Sequence, residues 1–409
     1  MQTLGTFLSS NEQRPWYILW AFAGSILTIT LVYGWVQYTG DVSYGRLEKY
    51  DFIENITWPY LLPPLVLMLL TRTGIPVSTS FLVLTFFKPK GLYSMTMKSI
   101  LGYALAFCVA IIIWQLVTRQ LDKRFIETPA SDTDRMNTGV LAGVAIAITG
   151  LFLFYLGLDV QGILIALAAG LGMAFLLSRF NQKTAWTILQ WFSTGFLWGQ
   201  WLIQDFANIY VYLPRALSGT EIAVSLVILL SLLGYIFYSK GGAIQKIVKA
   251  KTNTVDIRSA TMVDFVYGIV LLFFKEFSNV PMSTTWVFLG LLAGREIAIR
   301  YRLELIKEPS DIVKAPVYHY LGQALNIIIL LLIGYVIYLR DQVPDYIIVV
   351  MALVMILRAA VVYMETIPGR LNLKEAYKDI GWDLGKVTLG LVISIVLVKV
   401  MQLLTGVGM

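Results

Sequence analysis

Pro76-Val77-Ser78-Thr79-Ser80 and Pro281-Met282-Ser283-Thr284-Thr285 are one phrase written twice, 205 residues apart. Each copy closes a long apolar run and opens a shorter one. Proline suits a chain entering a helix, and Ser or Thr is a strong N-cap, so each phrase predicts a helix start. A chain of 409 residues that repeats such a phrase at half its own length predicts a duplicated membrane fold. The repeated phrase is then the place to look for a substrate.

The composition agrees with a membrane chain. Hydrophobic residues make up 57% and charged residues only 14%, with a mean hydropathy of +0.72; soluble domains carry roughly a quarter charged residues. Apolar runs able to cross about 30 Å of hydrocarbon recur along the whole length and leave no room for a separate soluble domain. The expected fold is an all-α polytopic membrane protein with about nine transmembrane helices, at 16–38, 98–119, 138–157, 160–178, 184–213, 221–239, 315–339, 345–364 and 383–406. Two further elements, 55–87 and 261–294, each hold a limb of about 16 residues, the repeated phrase and a limb of about 10. A limb that short does not cross a bilayer, which predicts two re-entrant helical hairpins. The first apolar run is too long for a signal-peptide core.

The net charge of +7 reads as a membrane signal and not a nucleic-acid one, because basic residues mark cytoplasmic loops. With the N-terminus cytoplasmic, the C-terminus outside and each hairpin returning to its own side, inside segments carry twenty Lys and Arg. Outside segments carry seven, among them Arg46 and Lys98. That bias supports an inner or plasma membrane orientation in which the hairpins enter from opposite faces, an inverted-topology repeat. The first repeat spans 1–183 and the second 184–409. Asp51 and Asp256 share the 205-residue offset, whereas helix 184–213 has no partner at that offset. The single Cys108 makes an internal disulfide impossible, and the single His319 excludes a His-rich metal site.

A helix start at mid-membrane depth offers unpaired backbone N–H groups and the positive end of the helix dipole. Two such starts would clamp a tetrahedral oxyanion between Ser78, Thr79 and Ser80 on one side and Ser283, Thr284 and Thr285 on the other. One Ser/Thr cap alone is an ordinary helix start; the matched second copy makes the pair a candidate site. In helix 184–213, Gln200, Gln204 and Asn208 fall four apart on one face with Asp205 beside them. A carboxylate within a span costs about 2.5–3.5 kcal/mol on insertion scales and so faces a protein interior. Carboxylate, amide and hydroxyl oxygens are what a hard cation such as sodium needs. Glu276, just before the second phrase, is a candidate proton-coupling group, and Arg358, mid-span, calls for a partner or an aqueous cavity.

The stretches 73–80 and 278–285, the latter followed by Gly290 and Gly294, resemble the paired hairpin tips of the inorganic phosphate transporter (PiT) family. The 78 residues from Asp205 to Ser283 are similar to that family's spacing between its Asn-Asp-x-x-Asn helix and the following hairpin. The resemblance implies that Ser78, Thr79, Ser283, Thr284 and Thr285 hold phosphate, that Asp205 and Asn208 help hold phosphate and sodium, and that the protein is a homodimer. The chain departs from the family at Gln204, which replaces the Asn before Asp. It also has Phe81 and Trp286 where the family has His after its Ser-Thr-Thr, and no Asn-Asp helix precedes the first hairpin.

The expected function is secondary active transport of a small inorganic oxyanion, phosphate first and sulfate second, coupled to sodium or protons. No enzymatic activity, nucleic-acid partner or cofactor beyond sodium is expected. A passive anion channel fits two opposed hairpins as well. A membrane-embedded transferase acting on a lipid would need an acidic metal cluster or a nucleophile–base pair, which Asp205 and Asn208 alone do not supply.

Overall fold

The computed structural model describes residues 3–50, 52, 54, 56–72, 78–127, 131–135, 143–147, 150, 160–241, 257–277, 282–307 and 373–405, with scattered residues between 320 and 361. Among them the regular structure is helix, apart from one isolated bridge between Arg135 and Asn181. The elements are α1 (Gly5–Ser10), α2 (Trp16–Gln37), α3 (Leu62–Arg72), α4 (Thr79–Phe87), α5 (Leu92–Glu127) and α6 (Val160–Leu177). They continue with α7 (Gln182–Tyr210), α8 (Gly219–Tyr238), α9 (Ile257–Phe277), α10 (Thr284–Lys307) and α11 (Leu373–Thr405). Among the described residues four stretches, Trp16–Gln37, Pro89–Ile111, Gly219–Tyr238 and Ile380–Leu397, are helical, long and apolar enough to cross a membrane. On α8 the side chains of Val224, Val227, Ile228, Leu232 and Tyr235 are exposed, an apolar surface that suits hydrocarbon and not water.

The apolar runs place α2, α6 and α8 to within one or two residues of their observed ends. Three helices outrun their apolar cores. α5 has 36 residues, α11 has 33 and α10 has 24. The expected limb of about ten residues after the second phrase ends where the apolar run ends, at Ala293, but Arg295 to Lys307 continue the same helix. Hydropathy marks the greasy part of a helix and not its end, since Arg, Glu, Leu and Lys are good helix formers. α1 was not expected at all. The spans at 138–157, 315–339 and 345–364 lie largely outside the described residues.

Packing divides the chain into two compact units, each discontinuous. The first comprises Met1–Thr30, Arg119–Leu202 and Val224–Ile269. In it, α1 buries Phe7 and Leu8, with Leu4 buried just before it, and Phe7 meets the rings of Phe22 and Trp191 at 5.4 and 5.2 Å. The indole N–H groups of Trp20 and Trp198 donate to the carbonyls of Leu230 and Ala23 at 2.9 and 3.0 Å, tying α2 to α8 and to α7. These bonds satisfy the polar atoms that large aromatic side chains carry into a core.

The second unit comprises Leu31–Thr118, Ile203–Ala223 and Val270–Met409. Here α4 packs on α3 and α11, and α10 packs on α11. α10 also lies against α5 at two glycines: a Cβ on Gly290 would overlap the carbonyl oxygen of Tyr103, and one on Gly294 that of Phe107. Small residues four apart let two helix backbones touch, which is how helices associate where water gives no hydrophobic drive. The turn between α2 and α3 is fixed by Asp41, whose carboxylate accepts the N–H groups of Ser43 and Gly45 at 2.7 and 3.0 Å. Gly45 has φ +74 there, a conformation that favours glycine.

Candidate functional site

The site is built wholly within the second unit. Ser78 caps α4: its backbone is extended and its hydroxyl accepts the N–H of Phe81 at 3.3 Å. Ser283 caps α10 in the same way, accepting the N–H of Trp286 at 3.4 Å. Both copies of the repeated phrase therefore start helices through the same atom of the same residue. Phe81 and Trp286 occupy matching positions, three residues after their caps, and their ring centroids are 6.3 Å apart. The two helix starts, far apart in sequence, are held one aromatic pair from each other.

Ser80, Ser283, Thr284 and Thr285 are buried with Ser78, and Thr79 is half-buried. The backbone N–H of Ser283 donates to the hydroxyl of Ser99 on α5 at 2.9 Å. The Thr284 hydroxyl donates to Asp205 Oδ2 at 3.0 Å, so the last turns of α7 and the start of α10 form one cluster. The other oxygen, Oδ1, accepts from the Asn208 amide at 2.5 Å. Gln204 donates its amide to the carbonyl of Leu271 on α9 at 3.2 Å. The carbonyl oxygens of the Gln204 and Asn208 side chains are buried and find no hydrogen-bond partner among the described residues. Buried polar atoms are otherwise paired, so these two oxygens, on the residues one before and three after Asp205, are candidate cation ligands.

The chain matches no protein-family model, no curated protein and no solved structure.

Two basic side chains that the charge tally assigned to outside segments are buried in this unit. Arg46 is 3% exposed and Lys98 6% exposed. The charge of Arg46 acts on both Asp205 and Lys98, and Lys98 precedes Ser99, the residue that holds Ser283. Arg46 follows the turn that Asp41 and Gly45 fix, and it is buried, which a count of charges does not register. Lys98 opens the apolar run of α5, where a lysine ordinarily extends to the interface.

The side chains of Arg72 and Glu276 and residues 73–77 and 278–281 lie outside the described residues, as do Asp51, Asp256, His319 and Arg358.

Sequence reasoning also passed over Asp264, a buried carboxylate on α9 in the first unit. It stands in the apolar stretch from Met262 to Leu272, and the rule that singled out Asp205 applies to it equally.

Proposed function

We propose that the protein is a secondary active transporter of a small inorganic oxyanion, phosphate first and sulfate second, and a divergent relative of the PiT family. The observation that carries this reading is the approach of the two serine-capped helix starts through Phe81 and Trp286. Ser78, Thr79, Ser80, Ser283, Thr284 and Thr285 line the anion site with hydroxyls and helix N-termini. Arg46, whose charge acts on Asp205, supplies positive charge for an anion removed from water. Asp205, with the amide oxygens of Gln204 and Asn208, holds the coupling cation, sodium or a proton.

In this reading the repeats 1–183 and 184–409 have inverted topology, with about nine spans and two re-entrant hairpins, in the plasma or inner membrane. The N-terminus is cytoplasmic, and the site opens to alternate sides as the hairpins and their partner helices move. A passive channel built on the same site would conduct down a gradient only, and a lipid transferase would turn over a lipid.

Uptake of labelled phosphate and sulfate by reconstituted vesicles, with and without a sodium gradient, separates the three. Ser283→Ala and Thr284→Ala are each expected to raise the half-saturating anion concentration about tenfold or more, since a hydrogen bond to a charged group contributes about 1.5–3 kcal/mol. Unchanged uptake kinetics in both variants would remove the clamp.

The topology has its own check. Glu48 and Ser239 are exposed, and Cys108 is buried. A membrane-impermeant maleimide should modify Glu48→Cys and Ser239→Cys from opposite faces of oriented vesicles. Modification of both from one face would break the inverted arrangement.

A further inference from the structure

The most completely enclosed carboxylate outside that site is Asp264, which is 1% exposed. Its two oxygens are each taken by a hydroxyl from a different helix. Thr6 of α1 donates to Oδ1 and Thr194 of α7 donates to Oδ2, both at 2.5 Å. Both threonines are fully buried. Gly268, one turn further along α9, lets that helix close on the Phe196 ring and the Leu197 backbone of α7. All these residues belong to the first unit.

Asp264 has no ion-pair partner among the described residues. α1 carries no titratable side chain, and the segment after it carries Glu12 and Arg14, both exposed. The part of α7 in this unit carries Lys183, exposed and paired with Asp132 at 3.3 Å. On α9 itself, Arg258 lies nearly two turns before Asp264. A buried carboxylate is therefore stabilised by two hydroxyl hydrogen bonds and no adjacent countercharge, a setting in which the neutral acid competes with the anion.

We propose that Asp264 is a proton-binding site, at which one proton converts the carboxylate clasped by Thr6 and Thr194 into a neutral acid. The ligand is a proton and not a metal ion: each carboxylate oxygen is already engaged by a hydroxyl at 2.5 Å, and among the described residues no three His, Cys, Asp or Glu side chains come together to hold a metal. The exchange needs little motion. In the anion both hydroxyls donate. When a proton arrives on one oxygen, the hydroxyl facing it rotates and accepts, while the other continues to donate. Each carboxyl oxygen keeps its hydroxyl partner in both states. Charge-assisted bonds are about twice as strong as neutral ones, so taking up the proton weakens the grip on α1. Asn11 holds the far end of that segment, through Gln190 at 2.9 Å and the Trp191 indole at 3.2 Å. This inference does not depend on the oxyanion reading, since none of its residues belongs to the cluster around Asp205.

The test is infrared difference spectroscopy of the full-length protein in nanodiscs as pH is lowered. A protonated carboxylic C=O stretch should appear, vanish in Asp264→Asn and persist in Asp205→Asn. Thr194→Val removes one donor to the anion, so the midpoint of that band should move up by about one pH unit, a tenfold gain in proton affinity. Should Asp264→Asn fail to fold, the Thr194→Val midpoint decides. Absence of such a band at every pH where the protein stays folded overturns the assignment. So does a Thr194→Val midpoint at or below that of the parent, or loss of the band on adding sodium at constant pH.

Discussion

Asp205→Asn is expected to abolish the sodium or proton response of anion uptake while leaving the helices assembled. Asparagine has the same shape, so the packing around α7 survives. What changes is charge and hydrogen-bond direction. Asp205 accepts from both Asn208 and Thr284; an amide can accept at one position only and turns an NH2 toward one of those two donors. The positive charge of Arg46 also loses the carboxylate on which it acts. An interaction with a charged group contributes about 1.5–3 kcal/mol, which corresponds to roughly ten- to a hundredfold in the affinity for a bound cation. The measurement is uptake against sodium concentration and against pH, for parent and variant at equal reconstituted amounts. Asn208→Ala serves as the milder comparison, since it removes one amide and no charge. A variant that keeps the full cation response would show that Asp205 is a structural anchor for Thr284 and nothing more.

The parts of this site that were legible in sequence are those specified by neighbours along the chain. Ser78 and Ser283 act as caps because a Ser two residues after Pro, opening an apolar run, has few alternatives to starting a helix. Asp205 and Asn208 share a cluster because three residues along a helix brings side chains together. The ends of α2, α6 and α8 follow from apolar length. Arg46, Lys98 and Asp264 were missed for a different reason. A charge tally assumes that each Lys or Arg near an apolar boundary sits in water, and Arg46 and Lys98 are buried instead. Asp264 had the same local signature as Asp205, a carboxylate within an apolar run, but lacked a repeated phrase to draw attention to it. Its partners, Thr6 and Thr194, are 258 and 70 residues away. α1 escaped because six residues carry too little periodicity to register; only its burial against Phe22 and Trp191 makes it an element.

The largest stability change should come from the seam between α5 and α10. Gly290→Ala and Gly294→Ala each insert a methyl where the carbonyl oxygens of Tyr103 and Phe107 already stand. A side chain can rotate away from an intruding methyl; a helical carbonyl cannot without breaking its own ladder. Overpacking typically costs about 1–3 kcal/mol per site, and rigid backbone on one side puts both substitutions at the upper end. The pair together amounts to roughly 6 kcal/mol, comparable with the whole stability of many domains, so the double variant should not yield a folded, monodisperse species. Each single variant should melt well below the parent in detergent. The effect reaches the site directly, because Gly290 lies two turns along the helix that Ser283 caps, and Ser283 is fixed to Ser99 of the same α5. Pushing the helices apart lengthens that bond and withdraws the start of α10 from Phe81. Gly172→Ala is the control: among the described residues nothing lies within 4 Å of its added methyl, and alanine favours a helix over glycine by about 1 kcal/mol. It should therefore melt at or above the parent. Parent-like melting of Gly290→Ala would mean that α10 does not lie on α5 at these glycines, and the position of Ser283 would then have to come from elsewhere in the fold.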